Sequence, residues 1–215
     1  MKKQEKKTNK VIINTIKTHI QHNRKQYLIV AIIFLIGVVL GVTVINRIDV
    51  DSKEGITNYI TSFTNNLKTD YEIDKMSLIK SCIMNYIVMA FIMWFMGSTV
   101  IGIPLVYMIV GLKGFSLGCT ISSIIAAFGT LNGILFSIIT LFFQNIIIIP
   151  CILALAVSGI KLYSSIMQDR RRENIKVEIM RHTIFSLLMV GMLLVASFIE
   201  VYISSNLLTV CIDFL

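Results

Sequence analysis

The chain has 215 residues, of which 55% are hydrophobic and only 15% charged, against about 25% charged in an average soluble domain. Its mean hydropathy is +0.79, and the 47 residues from Gly114 to Ile160 contain no Asp, Glu, Lys or Arg. These figures exclude a solvated globular enzyme and predict an all-α, polytopic integral membrane bundle. The net charge of +8 is distributed as membrane topology rather than as a nucleic-acid patch, so no nucleic-acid partner is expected.

Residues 1–25 form a basic tail. Ile12, Ile13, Ile16 and Ile20 recur at helical spacing beside Lys10 and Lys17, which predicts a surface helix attracted to anionic lipid. The first apolar run, 27–45, lies between Arg24-Lys25 and Arg47. It is long for a signal-peptide core and no small-x-small cleavage site follows, so it reads as an uncleaved span. Gly37 and Gly41 form a G-x-x-x-G pair on it.

Segment 47–80 follows, with five basic residues against six acids. Ile56, Tyr59, Ile60, Phe63 and Leu67 recur at helical spacing with Asn58, Asn65, Asn66 and Lys68 between them. A short amphipathic helix is predicted there, either docking an extracytoplasmic partner or resting on the membrane interface. Asp70, Glu72 and Asp74 are grouped carboxylates, but a polar loop carries such residues without any pocket, and no catalytic role is assigned to them.

The next uncharged stretch holds two spans, 82–102 and 104–128, divided at Gly102-Ile103-Pro104 because proline fits a helix start. Lys113 then lies roughly 14 Å along the second of them at about 1.5 Å per residue, near the centre of a core about 30 Å thick. Such a lysine costs about 2.5–3.5 kcal/mol on insertion scales. With no acid found at similar depth, it is expected to line a wet cavity or to snorkel, helped by a break at Gly111-Leu112-Lys113-Gly114. Gly114, Gly118, Ser122 and Ala126 form a stripe of small residues that favours close helix packing. The packing partner is a helix of the same chain or another chain, which leaves room for a homo-oligomer.

Gly129 to Gly133 reads as a turn, and 134–159 as the fourth span. Within it, Gln144 and Asn145 are polar, and Pro150 removes the donor that the carbonyl of Ile146 needs and predicts a kink. They make either a polar site or structural glue. Segment 161–182 has six basic residues against three acids, including Arg170-Arg171-Arg172, a contact for inner-face lipid. The fifth span is 183–204 and the tail is 205–215. Cytoplasmic loops are enriched in Lys and Arg, so the amino terminus and 161–182 are expected inside, and 47–80 and the carboxy-terminal tail outside. The four cysteines and three histidines show no metal spacing, and no nucleophile elbow, H-E-x-x-H or phosphate loop occurs. No enzyme activity, metal or cofactor is expected.

The basic amino terminus, five spans, the outside loop of about thirty residues, Gly111-Leu112-Lys113-Gly114-Phe115-Ser116-Leu117-Gly118, and Gln144-Asn145 followed by Pro150 together resemble the stage II sporulation protein M family, from about Lys25 to Ser204. Many relatives outside spore formers carry a Pro-His-Gly-x-x-Glu-x-Pro pattern in span four. Here Phe143, Gln144, Asn145 and Ile148 stand at its places and only the final Pro150 is kept, so its acidic residue is absent. The resemblance implies a non-enzymatic scaffold of engulfment in the mother cell septal membrane of an endospore-forming bacterium. Its partners would be membrane lipid and stage II sporulation proteins D and P, which cut peptidoglycan. A transporter or permease subunit with a polar path near Lys113, Gln144 and Asn145 is the alternative from the residues themselves.

Overall fold

The structure, a computed structural model, describes residues 23–68, 74–99, 102–168, 175–204 and 206. The tail stripe Ile12 to Ile20, Asp70, Glu72 and the Arg170 to Arg172 run lie outside these residues. The described chain forms α1 (Arg24–Arg47), α2 (Val50–Lys68), α3 (Lys75–Gly97), α4 (Gly102–Phe128), α5 (Thr130–Gln168) and α6 (Ile175–Ile199), which passes into a π-helical turn, Glu200–Ser204. No strand occurs among the described residues. All helices except α2 are long and apolar enough to cross a membrane, so the expectation of an all-α bundle with five such helices holds.

Local chemistry sets the ends. Ile48 turns to extended backbone after its N–H closes α1 on the Val44 carbonyl. Asp49 then leads into α2, its carbonyl accepting from Lys53 N at 3.0 Å and its carboxylate from Ser52 Oγ at 3.1 Å. A carboxylate there also suits the positive end of the helix dipole. Asp74, one of the grouped acids, is the N-cap of α3 and accepts from Met76 N and Ser77 N. Pro104 sits in the first turn of α4, where a missing N–H costs nothing. The α4–α5 connection is a single residue, Gly129, at φ +80, a left-handed conformation that suits glycine after a helix end.

The structure departs from the sequence reading in three places. Residues 102–128 form one continuous helix, so Gly111 to Gly114 is no break and the lysine there does not escape by one. The fourth long helix has 39 residues, about 58 Å at about 1.5 Å per residue, and includes Lys161. Helix α6 begins at Ile175, so 161–168 and 175–182 are helical instead of forming a loop. Pro150 lies exposed inside α5, which runs through it.

Outward faces carry Leu28, Leu35 and Val39 on α1 and Leu187 and Val195 on α6, as helices bathed in lipid do. The shared core comprises Val30 and Phe34 of α1, Tyr86, Ala90 and Met93 of α3, Val106 and Val110 of α4, residues from Ile148 to Ile160 in every turn of that part of α5, and Met189, Leu193 and Ala196 of α6. Pairings along the helices fix their directions. Residues 34 to 41 of α1 meet 111 to 119 of α4 in rising order, so these two run parallel. Lys75, Tyr86 and Trp94 of α3 meet Asn206, Glu200 and Thr183 in falling order, so α3 and α6 are antiparallel. The five long helices therefore alternate in direction, and α1 begins on the side opposite to where α6 ends.

Candidate functional site

The α1–α4 seam is the most intimate helix contact. Between lipid-bathed helices there is no hydrophobic drive toward association, and close backbone approach takes its place. Gly37 and Gly41 sit against the carbonyls of Gly111 and Phe115, and Gly114 and Gly118 against those of Phe34 and Val38. A Cβ on any of the four would overlap a backbone oxygen. The Cys119 thiol lies 3.6 Å from the Gly41 carbonyl. Ser122 is buried one turn further along the same face, and Ala126 is half-buried near the helix end.

Lys113 occupies the middle of α4 and is half-buried, with its ammonium 5.8 Å from the centre of the Tyr86 ring. Tyr86 is 5% exposed on α3, and its hydroxyl donates to Glu200 Oε2 at 2.6 Å. Cys82, one turn earlier on α3, also faces Glu200. Lys113 and Glu200 thus both meet Tyr86, the lysine at its ring and the acid at its hydroxyl. The signal was present: Lys113 is the only base between Ser81 and Ile160, and Glu200 the only acid between Thr183 and Ser204. Depth counted along each helix separately hid the pairing, because the side chain of Tyr86 spans the difference.

A second polar cluster joins α3, α5 and α6. His182 is 3% exposed, with Nδ1 2.9 Å from Ser158 Oγ and Nε2 3.4 Å from the Trp94 carbonyl. A carbonyl only accepts, so Nε2 carries the proton and Nδ1 of the neutral ring accepts from Ser158. The Trp94 indole N–H donates to Thr183 Oγ1 at 3.2 Å. The ring fits because α3 and α5 meet at two glycines, where a Cβ on Gly97 would lie 2.7 Å from the Gly159 Cα and 3.3 Å from His182 Nε2. The sequence reading passed over this histidine, since its partners come from two other helices.

Helix α2 packs against α4. The apolar stripe expected on it is split. Thr64 is buried, and Thr57, Thr61, Ile56 and Ile60 are half-buried, whereas Tyr59 is 75% and Phe63 50% exposed. The threonines can face the bundle because their hydroxyls bond back to carbonyls one turn earlier, as in Thr61 to Thr57 and Thr64 to Ile60. The side chain of Leu67 lies outside the described residues.

Asn145 Nδ2 donates to Leu141 O of its own helix at 2.8 Å, and Gln144 is half-buried beside it. Among the described residues, no hydrogen bond or ion pair joins either amide to Lys113. The model of a family described as stage II sporulation protein M matches residues 30–205. No curated protein and no solved structure matches the chain.

Proposed function

The chain belongs to the stage II sporulation protein M family, a family of sporulation membrane proteins, and from that premise we propose that it is a non-enzymatic scaffold of engulfment. In this reading it gathers peptidoglycan hydrolases, stage II sporulation proteins D and P, at the mother cell septal membrane. The amino terminus and the projecting ends of α5 and α6 lie in the cytoplasm, by the excess of Lys and Arg there. Helix α2 follows α1 almost directly, so it lies on the wall side together with the end of α6.

The observation that carries the docking role is the exposed pair Tyr59 and Phe63 on a helix that turns its threonines toward the bundle. Aromatic side chains of this kind anchor protein interfaces. The permease alternative draws on Lys113, Gln144 and Asn145. The lysine is engaged by Tyr86 and the asparagine by its own helix, which favours the scaffold.

Affinity capture of the tagged full-length protein from detergent-solubilised sporulating cells is expected to recover the wall hydrolases. The double variant Tyr59→Ser with Phe63→Ser is expected to lower that recovery about tenfold, the effect of about 1.4 kcal/mol, while the amount inserted in the membrane stays the same. Recovery equal to that of the parent would remove α2 as the docking surface.

A further inference from the structure

We propose that Lys113 and Glu200 act as one charge unit, joined through Tyr86, that locks the last membrane helix to the middle of the bundle. The three residues come from α4, the turn after α6, and α3. Tyr86 is almost completely buried between the other two, and it presents a different surface to each. Its ring face, negative by the aromatic quadrupole, meets the Lys113 ammonium at 5.8 Å from the centre. Its hydroxyl hydrogen, at the positive edge, meets the Glu200 carboxylate at 2.6 Å. The ammonium draws electron density from the ring and so strengthens the O–H as a donor, and the carboxylate returns density to the ring that the ammonium faces. Each charge is held better when the other is present.

The backbone around Glu200 fits this role. The α-helix ends at Ile199 and gives way to a π-helical turn that begins at Glu200. A π-turn widens the helix by one residue and is kept where side-chain placement requires it. Here Ser197 and Val201 on either side are fully buried, and Glu200 is turned toward Tyr86. Lys75 at the start of α3 lies 6.0 Å over the ring of Tyr202 within the turn and donates to Asn206 Oδ1 just after it at 3.1 Å. The lock therefore sets the register of α6 on α3. A lone ammonium or carboxylate in the hydrocarbon region is costly and seeks water or the interface. Loss of one charge should disturb this register more than loss of both.

The test uses the full-length protein in native membranes, with its four cysteines replaced by alanine and cysteines placed at Lys75 and Asn206. The readout is the yield of cross-linking by a short bis-thiosulfonate reagent. Lys113→Met and Glu200→Gln are each expected to lower the yield about fivefold, within the range of coupled neighbours. The double variant is expected to recover to within about twofold of the parent. If a single variant accumulates poorly, the same comparison is read on the amount of monodisperse protein after solubilisation. Recovery in the double variant is a result that loss of packing volume alone cannot produce. Single variants that behave as the parent, or a double variant no better than the worse single one, would overturn the proposal.

Discussion

Leucine in place of Gly37 is expected to prise α1 from α4 and to cost about 3 kcal/mol or more, at the upper end of overpacking effects. The reason is what the new atoms meet. The Cβ alone would overlap the Gly111 carbonyl and come within 3.0 Å of Phe115 N, and backbone atoms have no alternative rotamer to adopt. The facing position Gly114 is equivalent, since its Cβ would overlap the Phe34 carbonyl and lie 3.2 Å from Val38 N. Gly191 provides the contrast within the same bundle. It lies within α6 with nothing near its Cβ position, so Gly191→Ala should be neutral or stabilise by up to about 1 kcal/mol through helix propensity. Reversible unfolding in mixed micelles measures both, and equal effects at Gly37 and Gly191 would sink the account of the seam.

Gly159→Leu is expected to have the second large effect, again about 3 kcal/mol, at the junction of α3, α5 and α6. The Cβ would lie 2.9 Å from the Gly97 Cα and 3.9 Å from His182 Cε1. Separating these helices also pulls Ser158 and the Trp94 carbonyl away from the histidine ring, leaving a buried imidazole without partners. His182→Ala should cost a comparable amount, combining the cavity with the lost hydrogen bonds. Ser158→Ala removes only one neutral hydrogen bond and should cost about 1 kcal/mol. A double variant of His182→Ala with Ser158→Ala that costs the full sum of the singles would show that the two side chains do not interact.

Much of the bundle was legible because its signals are local. Length, uncharged runs and the turn residues around Pro104 and Gly129 each act within one or two helical turns. The small residues at Gly37, Gly41, Gly114 and Gly118 could be picked out by spacing alone. Helix ends were less legible: α3 begins at Lys75 and α5 continues to Gln168, because a helix does not stop where the hydrocarbon does. Polar residues that cap or that bond to their own helix carry it past the apolar run, as Asp74 does at the start of α3.

By itself, the sequence determined that this is an all-α chain with five helices suited to a membrane, and which positions are small enough for close contact. Only the tertiary structure decided which stripes face each other, and that His182 closes a junction between three helices. It also decided that Tyr86 carries Lys113 to Glu200 across a separation of 114 residues from tyrosine to glutamate. The physical reason is that helical period records which face a residue occupies, whereas the partner across that face is set by the directions and close approach of other helices. Helix α2 shows the same division. Its spacing marked an apolar stripe, but self-bonded threonines let it rotate so that Ile56 and Ile60 turn inward beside Thr64 while Tyr59 and Phe63 stay outside.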